Sequence, residues 1–346
     1  MVPPSRKKIP YPVQPALRSY LDEFSRGMEL PVDYELLTSW REGFPIYDAH
    51  GHDTLWRTLT YSPTDMRELS IGLRQIYALL KASGDVSVME HLRVSRIDFC
   101  EFGNSQPFRI RIVNALNDNQ DYFYLKKADA SRIYGLELEH LLSPNRMHFF
   151  VWKDTLVEEH IVGIPGDAFI AEHLNDPGFK GVRIAKEFVK FNERCFIRLL
   201  GDMRSYNFVV DATPDFEEVQ YRIRAMDFDQ QSYDGRVTFY KPQYFNENTA
   251  LIEFGKKHMD VQSMRQYQAE ERALIALRMR VERERLDHLL DAMCAELLAP
   301  AEKVRQLAAG LTEHYHENAF LECRTMGELL RTSLEHLPPP SLPAHA

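Results

Sequence analysis

The feature that most constrains the fold is a change of hydrophobic period along the chain. Ile97-Asp98-Phe99-Cys100-Glu101-Phe102 alternates apolar and polar residues, Phe108-Arg109-Ile110-Arg111-Ile112 does so again, and Tyr122-Phe123-Tyr124-Leu125-Lys126 is a third such run. A period of two places one set of side chains on each face of a strand. Gly103-Asn104-Ser105 and Asn117-Asp118-Asn119 break the runs as turns, so the spacing predicts consecutive antiparallel strands. A helix is predicted over 131–142, then strands over 148–152 and 156–162, which makes a five-stranded sheet with one inserted helix. From about Asp167 the period becomes helical. Residues 182–200 carry Ala185, Phe188, Val189, Cys195, Phe196 and Leu199 at helical spacing. One hairpin, 207–210 with 221–226, interrupts the helices, and nearly everything from Thr249 to Leu337 reads as helix. The Arg/Glu alternation of 272–297 reads as a solvated face.

Upstream, 15–27 is predicted helical. Ser62-Pro63 starts a second helix that carries Met66, Leu69, Leu73, Ile76, Tyr77 and Leu80. The reading is an α+β protein with a helical extension over 1–93, a sheet-rich part over 94–166, a helical part over 167–337 and a disordered tail over 338–346. Residues 1–13, Pro-rich and basic, are expected to form a mobile arm or a surface strap.

A hydrophobic share of 44% and mean hydropathy of −0.39 suit a soluble globular chain. No apolar run approaches the length of a membrane span, and the basic N-terminus lacks the apolar core of a signal peptide. A cytoplasmic location is the expectation. A net charge of −9 disfavours broad nucleic-acid binding. The cysteines Cys100, Cys195, Cys294 and Cys323 lie far apart without CxxC spacing, which fits reduced thiols better than disulfides or a zinc site.

The chemistry is concentrated in Gly201-Asp202-Met203-Arg204-Ser205-Tyr206-Asn207, between an apolar helix end and an apolar strand, and in Met226-Asp227-Phe228-Asp229 after the next strand. Phosphoryl transfer to a hydroxyl uses such a set: a carboxylate to position the nucleophile, and an Asn and an Asp to hold Mg²⁺ on the phosphates.

In order and content these motifs resemble the protein-kinase-like superfamily, in an atypical branch. Gly201-Asp202-x-Arg204-x-x-Asn207 is similar to the GDxxxxN loop of phosphatidylinositol-kinase-like and aminoglycoside-phosphotransferase-like enzymes, and unlike the HRD form. The resemblance covers roughly residues 95–300. It implies a two-lobed fold with an antiparallel N-lobe and a mainly helical C-lobe, and MgATP as the bound nucleotide. Asp202 would orient the acceptor hydroxyl, Arg204 would steady phosphate charge, and Asn207, Asp227 and Asp229 would serve the metal. A strand Lys would contact the phosphates and pair with a helix Glu. Lys126 is chosen over Lys127, and Glu137 over Glu139. Asn104 and Ser105 would stand in for a glycine-rich loop, and Glu159 to Val162 would be the hinge. Asp229 in place of Gly, and the missing APE-like anchor, depart from ordinary protein kinases. The acceptor is a hydroxyl on a protein, a small molecule or a lipid head group.

Three alternatives stand beside this reading. The first is a nucleotide-binding pseudokinase or scaffold, and the second an AMP-transferring enzyme of the same fold. The third is a metal-dependent amidohydrolase beginning at His50-Gly51-His52, although such a barrel needs a repeated βα alternation.

Overall fold

The computed structural model describes residues 8–48, 50–82, 84–176, 180–214 and 219–337. The chain divides into two compact units: one draws on Met1–Ala130 and Met147–His160, the other on Ser131–Arg146 and Ile161–Ala346. The division at His160/Ile161 falls within the segment read as a hinge.

The first unit is built on a seven-stranded sheet of order β1-β2-β3-β4-β5-β7-β6. The strands are β1 (Glu42–Tyr47), β2 (Asp53–Thr60), β3 (Leu92–Cys100), β4 (Phe108–Asn114), β5 (Gln120–Lys127), β6 (Phe149–Trp152) and β7 (Thr155–Glu159). Every neighbouring pair is antiparallel. Alternation selects the buried face. Phe108, Ile110 and Ile112 of β4 and Phe123 and Leu125 of β5 point into the core, while Arg109, Arg111 and Tyr124 are partly exposed. Helix α1 (Pro15–Glu23) begins with Pro at its first position, and α2 (Pro63–Ala82) lays Leu69, Leu73, Ile76 and Leu80 into the same core. Each of these large side chains contributes roughly 1.5–3 kcal/mol by leaving water.

The stretch 1–93 therefore differs from a purely helical extension, because it also supplies the β1–β2 hairpin, and β2 pairs with β3. His50 and His52 lie at the exposed turn of that hairpin, where His52 Nδ1 contacts Asp48 Oδ2 at 3.2 Å. The antiparallel sheet is not the βα repeat of an amidohydrolase barrel. The part of the N-terminal arm that is described is a strap. Lys8 Nζ meets Asp129 Oδ2 at 2.7 Å, and the Tyr11 amide donates to Asp129 Oδ1 at 2.9 Å. The expected disordered tail, 338–346, lies outside the described residues.

The second unit holds α3 (Ala130–Leu142) apart from its first residue, a three-stranded sheet of order β10-β9-β8, and the remaining helices. Strand β8 (Ile164–Pro165) and β10 (Val219–Ala225) flank β9 (Phe208–Pro214), both antiparallel. Short α4 (Gly166–Ala168) runs into a π-turn, and α5 (Gly181–Ile197) is the central helix. After it come α6 (Thr249–His258), α7 (Val261–Val281), α8 (Arg283–Cys294), α9 (Ala301–Tyr315) and α10 (Met326–Glu335). No helix among the described residues is long and apolar enough to cross a membrane.

Charge is buried along α5. Arg198 is ion-paired with Glu139 of α3, and Arg194 reaches Glu271 of α7 at 3.3 Å; each of these four residues is at most 3% exposed. The Arg/Glu alternation of 272–297 is not wholly solvated: the helix breaks at Glu282, Arg272 pairs with the buried Glu193, and Arg285 with the buried Glu137.

Candidate functional site

The loop carrying Asp202 begins where α5 stops. Leu199 takes a left-handed conformation (φ 52°), and the Leu200 amide reaches back to the Cys195 carbonyl at 2.8 Å, closing the helix end. Leu200 then forms an antiparallel bridge with Gln231. Gly201 follows because a Cβ there would lie 2.6 Å from the Phe239 ring. Asp202 is also left-handed (φ 61°), a conformation that Asp tolerates better than most residues. Its amide donates to the Phe239 carbonyl at 3.2 Å, which fixes the turn.

From there the chain makes a short 3₁₀ turn, Ser205–Asn207, into β9. Asn207 Nδ2 donates to the Asp202 carbonyl at 2.7 Å. Phe208 pairs with Ala225 across the β9–β10 ladder, and the Met226 amide donates to the Asn207 carbonyl at 3.0 Å. Asn207 and Met226 therefore face each other at the open end of the hairpin, and Asp227 is the next residue after Met226. Asp202, Asn207, Asp227 and Asp229 all belong to the second unit.

Arginines meet these acids. Arg204 Nε donates to Asp202 Oδ1 at 2.9 Å, and its Nη1 to Glu247 Oε1 at 2.6 Å. Desolvation opposes the charge on Arg204, but hydrogen bonds to the two carboxylates hold its pKa above the ordinary value. Arg132, in the first turn of α3, donates from Nη1 to Asp229 Oδ1 at 2.8 Å and to Asp227 Oδ1 at 3.0 Å, and from Nη2 to the Met226 carbonyl at 3.4 Å. The Asp227 side chain is 30% exposed, those of Asp229 and Arg132 only 8% and 3%.

The donor chemistry suits a hard cation. Asn207 spends its amide nitrogen on the Asp202 carbonyl, which leaves its amide oxygen as the atom to offer. The partly exposed Asp227 is a carboxylate of the kind Mg²⁺ takes alongside phosphate oxygens. Asp229 sits deeper, on Arg132. Among the described residues no group of three or more His, Cys, Asp or Glu could hold a metal.

The remaining sequence-predicted residues lie in or beside the first sheet, apart from the two glutamates. Lys126 is buried and its Nζ meets Glu158 Oε2 at 2.9 Å, whereas Lys127 is exposed with its Nζ 5.5 Å from the Tyr34 ring centroid. Glu137 is held by Arg285. Glu139 is held by Arg198, by Ser143 Oγ at 2.6 Å and by Asn145 Nδ2 at 2.7 Å. Ser105 is buried and its carbonyl accepts the Lys127 amide at 3.1 Å; Asn104 precedes it in a turn closed by the Gln106 amide on the Gly103 carbonyl at 3.0 Å.

Sequence reading missed Arg132, Glu247 and Asn248. Asn248 Nδ2 donates to the carbonyls of Met203 at 2.9 Å and Pro242 at 2.8 Å, bracing the Asp202 loop. Arg132 did leave a signal. A cation in the first turn of a helix opposes the helix dipole, and this first turn holds no acid.

No family model matches the chain, and no curated protein matches it.

Proposed function

We propose that this chain is an atypical kinase-like phosphotransferase that moves the γ-phosphoryl group of MgATP to a hydroxyl acceptor. One observation supports the reading: the β9–β10 ladder brings Asn207 to Met226, the residue before Asp227, with Asn207 tied to the loop that presents Asp202. In this reading Asn207 Oδ1 and the Asp227 carboxylate hold Mg²⁺, which when bound neutralises charge on the phosphates. Asp202 accepts a hydrogen bond from the acceptor hydroxyl and takes its proton as transfer proceeds. Arg204, anchored by Glu247, keeps Asp202 oriented.

Thermal shift tests the first step. ATP with Mg²⁺ should raise the melting temperature of the wild type, and Asp227→Asn should remove most of that rise. A wild type indifferent to nucleotide, with or without metal, refutes the proposal. Label from γ-labelled ATP should reach an acceptor; label from α-labelled ATP instead would mean AMP transfer.

A second reading, a nucleotide-binding protein without chemistry, is favoured by the arginines seated on Asp202 and on Asp227 with Asp229. A nucleotide-dependent thermal shift without label transfer to any acceptor would select it.

A further inference from the structure

The acids of the candidate site share one internal cation. A single guanidinium nitrogen of Arg132 lies within hydrogen-bond distance of both Asp227 and Asp229, and the second terminal nitrogen reaches the Met226 carbonyl. The arginine is almost fully buried, so its charge needs these partners. It also stands in the first turn of α3, where the helix dipole disfavours a cation. The acids cancel both penalties. Three residues on, Gly135 packs against the same turn: a Cβ there would lie 3.0 Å from Phe228 Cβ and 3.2 Å from Gln231 Cβ. The first two turns of α3 are thus fitted to the Asp227-Phe228-Asp229 turn in charge and in shape.

We propose that Arg132 is the resident counter-cation of the Asp227–Asp229 turn, and that a divalent cation at Asp227 competes with it for the same carboxylate. The inference rests on the reading of Asp227 as a cation ligand. It adds that cation affinity is set low by a positioning residue on α3, which yields Asp227 only when an entering metal outweighs the guanidinium. Asp229 keeps Arg132 within reach when Asp227 is taken.

The test is Mn²⁺ binding, measured from the free-ion EPR signal on the full chain without nucleotide. Removing a positive charge beside two carboxylates should tighten binding roughly tenfold or more. R132Q is expected to bind Mn²⁺ at least that much more tightly than the wild type, R132K to fall between them, and R132Q/D227N to lose the gain. Equal affinity in wild type and R132Q overturns the inference; if that shared affinity also disappears in D227N, the reading of Asp227 as a ligand survives. A gain in R132Q that persists in R132Q/D227N overturns the inference too, as does a failure of both R132Q and R132K to bind. If R132Q is unfolded without metal, recovery of its far-UV circular dichroism on adding Mn²⁺ supports the proposal and no recovery overturns it.

Discussion

Glu139→Ala is the perturbation whose effect can be worked furthest from the structure. Both partners of the Glu139–Arg198 pair are almost without solvent contact. Glu139 Oε1 also accepts from Ser143 Oγ and Asn145 Nδ2, and Arg198 Nε donates to the Arg194 carbonyl at 2.9 Å. Removing one partner of a buried pair leaves the other charge uncompensated and costs about 3–5 kcal/mol. That is a large fraction of the 5–15 kcal/mol typical of a folded domain. With urea m-values of about 1–3 kcal/mol per molar, the midpoint of the transition should fall by about 1–5 M. Urea titration followed by far-UV circular dichroism reads it. Burial opposes the charge on Glu139, but Arg198, Ser143, Asn145 and Arg194 together hold its pKa below the ordinary 4.5. The unfolded chain therefore binds this proton more readily. The pair's contribution is complete above about pH 4.5 and fades as pH falls through the lower folded value. E139L/R198M, which replaces both charges by apolar groups, should recover most of the loss. A loss below about 1 kcal/mol in E139A, or a double variant no better than the sum of its singles, would refute the reasoning.

Three further outcomes are expected. Lys126→Ala strands the buried Glu158 and should cost about 3–5 kcal/mol in a denaturation experiment, while Lys127→Ala, at an exposed position, should stay within about 1 kcal/mol. Gly166→Ala sets a Cβ 2.4 Å from the Ser205 carbonyl oxygen and 2.3 Å from the Phe208 ring, so a fall in stability of about 1–3 kcal/mol should show as a lowered melting temperature; an unchanged value would mean that the backbone of the Asp202 loop yields freely. Asp202→Ala should lower kcat far more than it weakens ATP binding, and equal losses in both would remove Asp202 from the role of base.

The core of the first sheet was legible because its residues obey the period of two. The expected strands 108–112 and 122–126 lie inside β4 and β5, and the helix expected over 131–142 is α3 with one residue added. The β1–β2 hairpin was not legible. Glu42–Tyr47 contains Gly43 and Pro45 and leaves Phe44 and Tyr47 exposed, so no apolar alternation marks it, and an edge strand is where Pro is tolerated. Helix α5 ends three residues short of the expected 200 because Leu199 turns left-handed, and its apolar spacing cannot reveal that. Within the candidate site, Asp202, Asn207 and Asp227 could be grouped because a loop and a hairpin are local. Arg132 and Glu247 arrive from remote elements, 95 and 43 positions from the acid or arginine they bind. Spacing carries no record of such contacts.

Helix α3 has a consequence for how the chain is made. It is synthesised between β5 and β6 of the first sheet, yet its charged side chains bind residues that emerge much later. Glu139 waits 59 positions for Arg198, Arg132 waits 95 for Asp227, and Glu137 waits 148 for Arg285. At about 5–20 residues per second, the last interval is about 7–30 s of translation between Glu137 and Arg285. The first sheet meanwhile reaches its β6 and β7 edge only after α3 has passed. Neither unit is a continuous stretch of sequence, so a cut at residue 160 would separate α3 from every one of these partners, and the ion pairs of α3 are complete only once Arg285 has been made.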